Sequence, residues 1–423
     1  MCRKGLFIIV FCLLVVKVQA SYLLIPMDQT QTNHLKAYGI SYWILENEIE
    51  VDWLLNYRGG SFMCKYYQKF ENELIIRGVS YEVISDAQSN QIIQTIASPA
   101  ANMDVMKLEK IPKIAVYSPK SNQPWDDAVT LALTYAEIPY DVIFDDEIMS
   151  GEVSKYDWLH LHHEDFTGQY GKFYASARNA PWYIRQQQEF EEIAQKYGYA
   201  KVSQLKLAVV KKFREFVAGG GFMFAMCSAT DTYDIALAAD GVDICDYMFD
   251  GDPPDPKAQQ KLNFDNTFAF KDFTLYRDPY LYEYSNIDNQ PQQRRQYGIT
   301  EKNDFFALFE FSAKWDPIPT MLTQNHESIV KSFVGQTTGF KKELIKSDVV
   351  IMGETKSINE VRYMHGVYGK GFWSFYGGHD PEDYQHHVGE EPTDLNLHPN
   401  SPGYRLILNN VLFPAAKKKK QKT

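Results

Sequence analysis

At 423 residues, with 45% hydrophobic and 23% charged side chains, the chain has the composition of an ordinary globular protein of two or three domains, which excludes collagen, a coiled coil and a disordered chain. Its net charge of -11 becomes more negative still once the basic residues at the two ends are set aside. That balance excludes a nucleic-acid-binding body, because phosphate contacts need clustered Lys and Arg.

Arg3 and Lys4 precede an apolar run from Leu6 to Val16, and Val18-Gln19-Ala20 places small residues where a signal peptidase reads. Residues 1–20 are therefore read as a cleaved signal, and the mature chain as secreted or periplasmic. A membrane anchor is the alternative reading, but Lys17 interrupts the run short of the roughly 18 to 20 residues a bilayer requires, so no stable membrane span is expected after cleavage. Cleavage removes Cys2 and Cys12 and leaves Cys64, Cys227 and Cys245. An odd number leaves at least one thiol free, and no Cys-x-x-Cys pair points to zinc.

In chain order, Tyr22 to Pro26, Val51 to Leu55 and Ser80 to Ile84 read as strands and Tyr67 to Arg77 as a helix, which makes residues 21–108 an N-terminal α/β lobe. A weakly patterned stretch from Ala97 to Lys110 is the boundary. Lys113 to Tyr117 is then a short β-branched run, Trp125 to Ala136 has helical spacing, and Tyr140 to Phe144 and Tyr156 to Leu161 are further strands. The apolar stripe Val202, Leu205, Val209, Phe213, Phe216 and Val217 makes a helix that Gly219 to Gly221 ends. Phe222 to Met226 follows as a buried strand, Thr230 to Ala239 as a helix, and Ser347 to Met352 resumes the pattern. This grammar predicts an α/β core over 109–249 and 348–414, interrupted by an insertion over 250–347 and followed by a solvated basic tail over 415–423. In such a core, ligand chemistry collects at the carboxyl ends of the strands.

The strongest candidate for chemistry is Cys227, at the predicted strand-to-helix turn with Ala225 and Ala229 two residues to either side. A nucleophile elbow needs small residues there, because larger ones collide with the strand and helix it joins. The helix that follows would lower the thiol pKa and offer its first N–H groups, including that of Ser228, as an oxyanion hole. A buried cysteine that merely ends a core strand is the plain alternative. A second segment, Gly369 to Glu382, ends a strand in two glycines, His379, Asp380 and Glu382, a base and its possible orienters. A third, His160-Leu161-His162-His163-Glu164-Asp165, puts His160 and His162 on one strand face and His163, Glu164 and Asp165 at its carboxyl end. Its residues from His162 onward are candidates for substrate binding. His160, His162 and His163, with His379, His386 and His387, are also candidates for holding a metal, the alternative being a hydrogen-bonded pocket wall. Trp182, Trp373 and Tyr376 suggest sugar stacking, though core positions explain aromatic residues more often.

The order of strand, helix, strand, elbow cysteine and late His-x-Pro-Glu resembles the class I glutamine amidotransferase-like superfamily, and Gly369 to His379 resembles its trehalose-utilisation-like branch. The resemblance implies a flavodoxin-like, mostly parallel sheet, with Cys227 as nucleophile, His379 as base and Glu382 or Asp380 as third member. Trp53 to Ser61, His160 to Gly168 and His398 to Arg405 further resemble a family of secreted proteins of the Bacteroidetes type labelled asparagine synthetase B. The synthesis that label implies needs an exposed Cys-Gly-Ile start and a Ser-Gly-Gly-x-Asp-Ser motif. Here Cys2 is followed by Arg3 and Lys4 and the motif is absent. The expected function is a cysteine-dependent hydrolase of C–N or ester bonds; the alternative is a non-catalytic module that binds a small molecule, carbohydrate or peptide. No cofactor is expected.

Overall fold

Alternation along the strands decides which side chains meet, and it does so in two sheets. In this computed structural model, which describes residues 21–121, 124–289, 291–316 and 326–417, the first sheet contains β1 (Tyr22–Ile25), β2 (Val51–Leu55), β3 (Ser61–Lys65), β4 (Glu82–Ile84) and β5 (Asp104–Leu108). Its order is β4-β1-β3-β2-β5 and its pairings are antiparallel. Leu23, Ile25, Trp53, Leu55 and Phe62 face the main apolar cluster, while Leu24, Leu54 and Met63 face a smaller one on the other side. That is the period of two that a pleated strand imposes. The segments read as the signal and most of the lysine tail lie outside the described residues.

The second sheet takes β6 (Ile114–Tyr117), β7 (Asp141–Ile143), β8 (Trp158–Leu161), β9 (Phe222–Met226), β10 (Phe305–Leu308), β11 (Ile329–Lys331), β12 (Phe340–Lys341), β13 (Val350–Thr355), β14 (Glu360–Tyr368) and β15 (Gly371–Tyr376). Its order is β11-β10-β13-β14-β15-β9-β8-β6-β7, with β12 alongside β14. From β7 to β15 neighbouring strands run parallel. Beyond β15 they are antiparallel. The expectation of a mostly parallel sheet is thus corrected to a mixed one. Its cause is the tight connection at Gly369 and Lys370, too short for the crossover a parallel pair requires. Gly369 sits at φ +61, and a Cβ there would lie 2.7 Å from the Ala218 backbone.

Both faces of the parallel half are covered. Phe222, Phe224 and Met226 point to one apolar cluster and Met223 and Ala225 to the other. The first holds the helices His34–Glu46, Ala128–Ala136 and Pro402–Leu412, which pack on one another, along with residues of both sheets. On the opposite face lie the helices Pro181–Lys196, Val202–Gly219 and Ser228–Ala238. Parallel strands buried on both faces need this double cover. Among the described residues no helix is long and apolar enough to cross a membrane.

Where the antiparallel half meets the parallel one, buried ions replace apolar contact. Arg294 binds Asp304 and Glu360, and Glu360 also pairs with Arg362 at 3.4 Å. The Arg362 guanidinium donates to the carbonyls of Phe333 and Gly377. The network therefore ties Arg294, Asp304 and the Phe333 carbonyl to β14 and to Gly377 at the end of β15. Taking one partner from such a pair leaves an uncompensated charge, at a cost of about 3 to 5 kcal/mol.

His365, buried on β14 with its ring stacked on Phe372, gives the fold a pH dependence. Burial pushes its pKa down from 6.5 to about 3. As pH falls below the ordinary value, the unfolded chain takes up a proton that the folded chain refuses, so stability falls with pH between those two values. Denaturant titration of the parent and of His365→Gln at pH 7 and pH 5.5 should show the parent losing about 1 kcal/mol more than the variant. Equal losses would contradict this assignment.

Candidate active site

Register brings four loops together. β8 pairs with β9 so that Leu161 lies beside Ala225, and β9 pairs with β15 so that Met226 lies beside Tyr376. The residues that follow these strands, His162 and His163, Cys227, and Gly377 to His379, therefore emerge side by side. Hydrogen bonds fasten them: the Cys227 N–H donates to the Gly378 carbonyl at 3.2 Å, and the Ala229 N–H to the His162 carbonyl at 3.0 Å. The fourth loop follows β6 and carries Asp126 and Asp127. A cavity of about 370 Å³ opens here, walled by Trp125, His163, Phe173, Cys227, Gln336, His379 and His386 among others.

Cys227 caps the helix Ser228–Ala238 with φ 49 and ψ -139, backbone angles that cost a non-glycine residue about 1 to 3 kcal/mol. Fully buried Ala225 and Ala229 allow the tight turn. Burial pushes the thiol up to about 11, against the opposing pull of the nearby Thr337, Gln336 and Ser228 backbone N–H groups. Gln336 and Thr337 come from the segment read as an insertion. The loop that carries them is held by Asp288, whose carboxylate accepts from the Thr338 and Gly339 N–H groups at 2.8 and 3.1 Å. Burial raises Asp288 to about 7.

Asp127 organises the histidines. Its Oδ1 caps the helix Ala128–Ala136 by accepting from the Val129 and Thr130 N–H groups and stands 3.3 Å from His162 Nδ1, while its Oδ2 stands 3.2 Å from His160 Nε2. Against the effect of burial, these two rings hold the Asp127 carboxyl well below its usual range. His160 also binds the Phe224 carbonyl, at 3.1 Å, so both of its nitrogens are engaged inside the sheet. The His163 ring stacks on His162 with centroids 3.9 Å apart, and its Nε2 lies 2.7 Å from the Asp126 carbonyl. His379 completes the group, its centroid 4.9 Å from His162, 4.8 Å from His163 and 4.7 Å from a parallel His386 ring. Burial first, and then the neighbouring imidazoles, push His379 and His163 well below the ordinary histidine range.

The other expected site residues lie elsewhere or serve the backbone. The Glu382 carboxylate stands 3.2 Å from His398 Nδ1, and Asp380 Oδ1 accepts from the Glu382 and Asp383 N–H groups. Neither carboxylate bonds the His379 ring, whose two nitrogens have no hydrogen-bond partner among the described residues. Asp165 closes a turn by accepting from the Thr167 and Gly171 N–H groups. Glu164 lies beneath His163 beside Lys206, raised by burial to about 8. Ser228 is fully buried and contributes its N–H. His387 reaches the cavity wall. Trp373 and Tyr376 are core residues, and Trp182 packs edge-on against Trp125 and Phe173.

Four participants escaped the sequence reading: Asp126, Asp127, Gln336 and Thr337. Asp127 had a readable signal, an aspartate immediately before a helical pattern, which is an N-cap. Nothing local marks the other three.

No protein-family model matches the chain, and no curated protein is similar to it in sequence. Among solved structures it is similar to Cytoplasmic Protein STM3548 from Salmonella typhimurium, with 10% identity and a TM-score of 0.34 over 73% of this chain and 100% of that one. Cytoplasmic Protein STM1381 from Salmonella typhimurium LT2 gives 11% identity and a TM-score of 0.37 over 72% and 100%. Gan42B, a GH42 beta-galactosidase from G. stearothermophilus, gives 11% identity and a TM-score of 0.26 over 64% of this chain and 28% of that one. At these scores no activity is taken from any of them. Both Salmonella proteins are titled cytoplasmic, which stands against the expectation of a secreted or periplasmic location, and that expectation is withdrawn.

The Gly335 loop, which lines the cavity, packs closely against the residues that follow β15. A Cβ on Gly335 would stand 2.9 Å from the His379 backbone nitrogen and 3.0 Å from the Gly378 carbonyl carbon. Gly335→Ala should therefore cost about 1 to 3 kcal/mol in urea denaturation, the usual cost of overpacking. Gly78→Ala, where no atom lies within 4 Å but φ is +68, separates steric from conformational cost. A Gly335 variant as stable as the parent would show that the loop is not packed as described.

Proposed function

We propose that the chain is an amidotransferase-like hydrolase, built on a flavodoxin-like core, that cleaves C–N or ester bonds with Cys227 as nucleophile. The observation that carries this reading is the strained Cys227 backbone on the wall of a cavity that Gln336 and His379 also line. A buried cysteine of purely structural use has no need of that conformation, and strain of this kind persists only where the surroundings over-determine it. Sulfur attacks the substrate carbonyl carbon as His379, at the end of the adjoining strand, takes the thiol proton. The N–H groups of Ser228, Gln336 and Thr337 stabilise the oxyanion as it forms. Collapse expels the amine or alcohol, which receives that proton, and water then hydrolyses the thioester to a carboxylic acid and returns the thiol.

A thiol raised to about 11 is protonated at neutral pH, so reactivity in this site depends on proton removal during attack rather than on a resting thiolate. Iodoacetamide at pH 9 should label Cys227, which opens to the cavity, at least about tenfold faster than Cys64 and Cys245, both buried with thiols raised by burial. Cys227→Ser should abolish hydrolysis of an activated ester such as p-nitrophenyl acetate. Equal labelling of the three thiols, or unchanged ester hydrolysis in Cys227→Ser, would overturn the assignment.

One observation favours a second reading, binding without turnover of a carbohydrate. Trp125 and Phe173 line the cavity with rings stacked at 5.3 Å, and Tyr282 lies beside Phe173. Such a wall suits the apolar face of a sugar. Glycan binding that persists in Cys227→Ser, with no hydrolysis by the parent, would favour this reading over the enzyme.

A further inference from the structure

The histidines are arranged in a way the thiol chemistry does not require. A single base would suffice for Cys227, yet three imidazoles from two strand ends pack ring against ring, with nitrogen atoms of His162, His163 and His379 all within 4.8 Å of one another. Both nitrogens of His379, a residue 7% exposed, and both of His162, a residue 1% exposed, lack a hydrogen-bond partner among the described residues. Leaving a buried polar atom unpaired costs about 1 to 3 kcal/mol. Replacing these rings by apolar ones of similar shape would avoid that cost.

The partners that two of the rings do have make a pattern. His162 turns Nδ1 toward the Asp127 carboxylate, and His163 turns Nε2 to the Asp126 carbonyl. His163 is thereby fixed through one nitrogen and keeps Nδ1 unspent, while His162 faces the Asp127 carboxylate at 3.3 Å with neither nitrogen in a hydrogen bond. This is how metal-binding histidines are held, the outer nitrogen donating to a carboxylate or carbonyl while the inner one takes the ion. Asp127 is itself anchored as the cap of the helix Ala128–Ala136. Three imidazole nitrogen donors suit a borderline ion of the zinc class and not magnesium or calcium, which take oxygen. His163 and His379 also line the cavity, so an ion here would be reached from solvent and keep a coordination position open toward it.

We infer that His162, His163 and His379 form a binding site for one divalent first-row transition ion of the zinc class. This site goes beyond the thiol reading and stands without it. Nitrogens bound to a tetrahedral ion at ~2.0 to 2.1 Å lie about 3.4 Å apart, so the rings close by small rotations on loading.

The test uses the full chain, stripped with a chelator and dialysed, then titrated with Zn²⁺ or Co²⁺ by equilibrium dialysis with elemental analysis. One ion per chain is expected at micromolar metal, together with a zinc-dependent rise in melting temperature and, for Co²⁺, visible bands of a nitrogen-ligated ion. His163→Ala and His379→Ala should each weaken binding by at least about tenfold, and Asp127→Asn by about 10 to 100-fold through lost orientation. Circular dichroism without metal shows whether each variant folds; His163→Gln is the second variant should His163→Ala fail to. Cys227→Ser should bind as the parent does, which separates this site from the nucleophile proposal. Fewer than about 0.1 ion per chain, or undiminished affinity in folded His163→Gln and His379→Ala, would overturn the site. Binding lost in His386→Ala but kept in His163→Gln would overturn it too, by moving the ion to Asp126 and His386.

Discussion

The parallel pairing of β9 with β8 on one side and β15 on the other is the constraint from which the rest follows. It ends three strands at the same level, so residues more than a hundred positions apart in sequence emerge as neighbours. The Cys227 N–H bond to the Gly378 carbonyl then couples the elbow to the histidine loop, and the Ala229 bond to the His162 carbonyl couples it to the other. Breaking either strand pairing would separate the groups without touching a single functional side chain. Both faces of these strands are covered by helices, which gives the edge of the sheet the rigidity that a strained turn needs.

Charge is distributed to match. Asp127 is held anionic by two histidines and two helix N–H groups, whereas the imidazoles facing the cavity are kept neutral by burial and by one another. Neutral rings are nitrogen donors with lone pairs available to a cation; a cluster of imidazolium ions would be unstable in this burial. Below the site, a second buried group, Lys206 with Asp145 and the Tyr117 hydroxyl, supports the floor near Glu164. The Arg294 and Arg362 network performs the equivalent task on the opposite side, by fixing the Gly377 carbonyl and the Phe333 loop.

Much of this was legible in the sequence because local pattern and tertiary role agree. Val202 to Val217 forms one helix stripe, Phe222 to Met226 a buried strand, and Ala225 and Ala229 mark the turn between strand and helix. β14 was missed, since Glu360, Arg362 and His365 break its apolar run; the buried ion network makes the first two tolerable in a core strand, and His365 stacks on Phe372. Helix His34–Glu46 was missed for the opposite reason: it is buried on nearly all sides and so lacks an amphipathic stripe. At the site, spacing pointed to Glu382 and Asp380 as orienters of His379, but the loop after β15 turns on Asp380's own backbone contacts and carries Glu382 to His398. A turn of that kind cannot be read from residue types alone. Gln336 and Thr337 are chemically unremarkable, and only the loop's close approach to Gly378 gives their N–H groups a role.

The convergence of the three strand ends is open to one direct measurement, an anomalous difference map at the zinc edge from crystals grown with zinc. The account predicts one strong peak bounded by the His162, His163 and His379 rings at ~2.0 to 2.1 Å, with Cys227 lining the same cavity. A peak elsewhere in the chain, or density that places the His379 ring outside the cavity lined by Cys227, would contradict it.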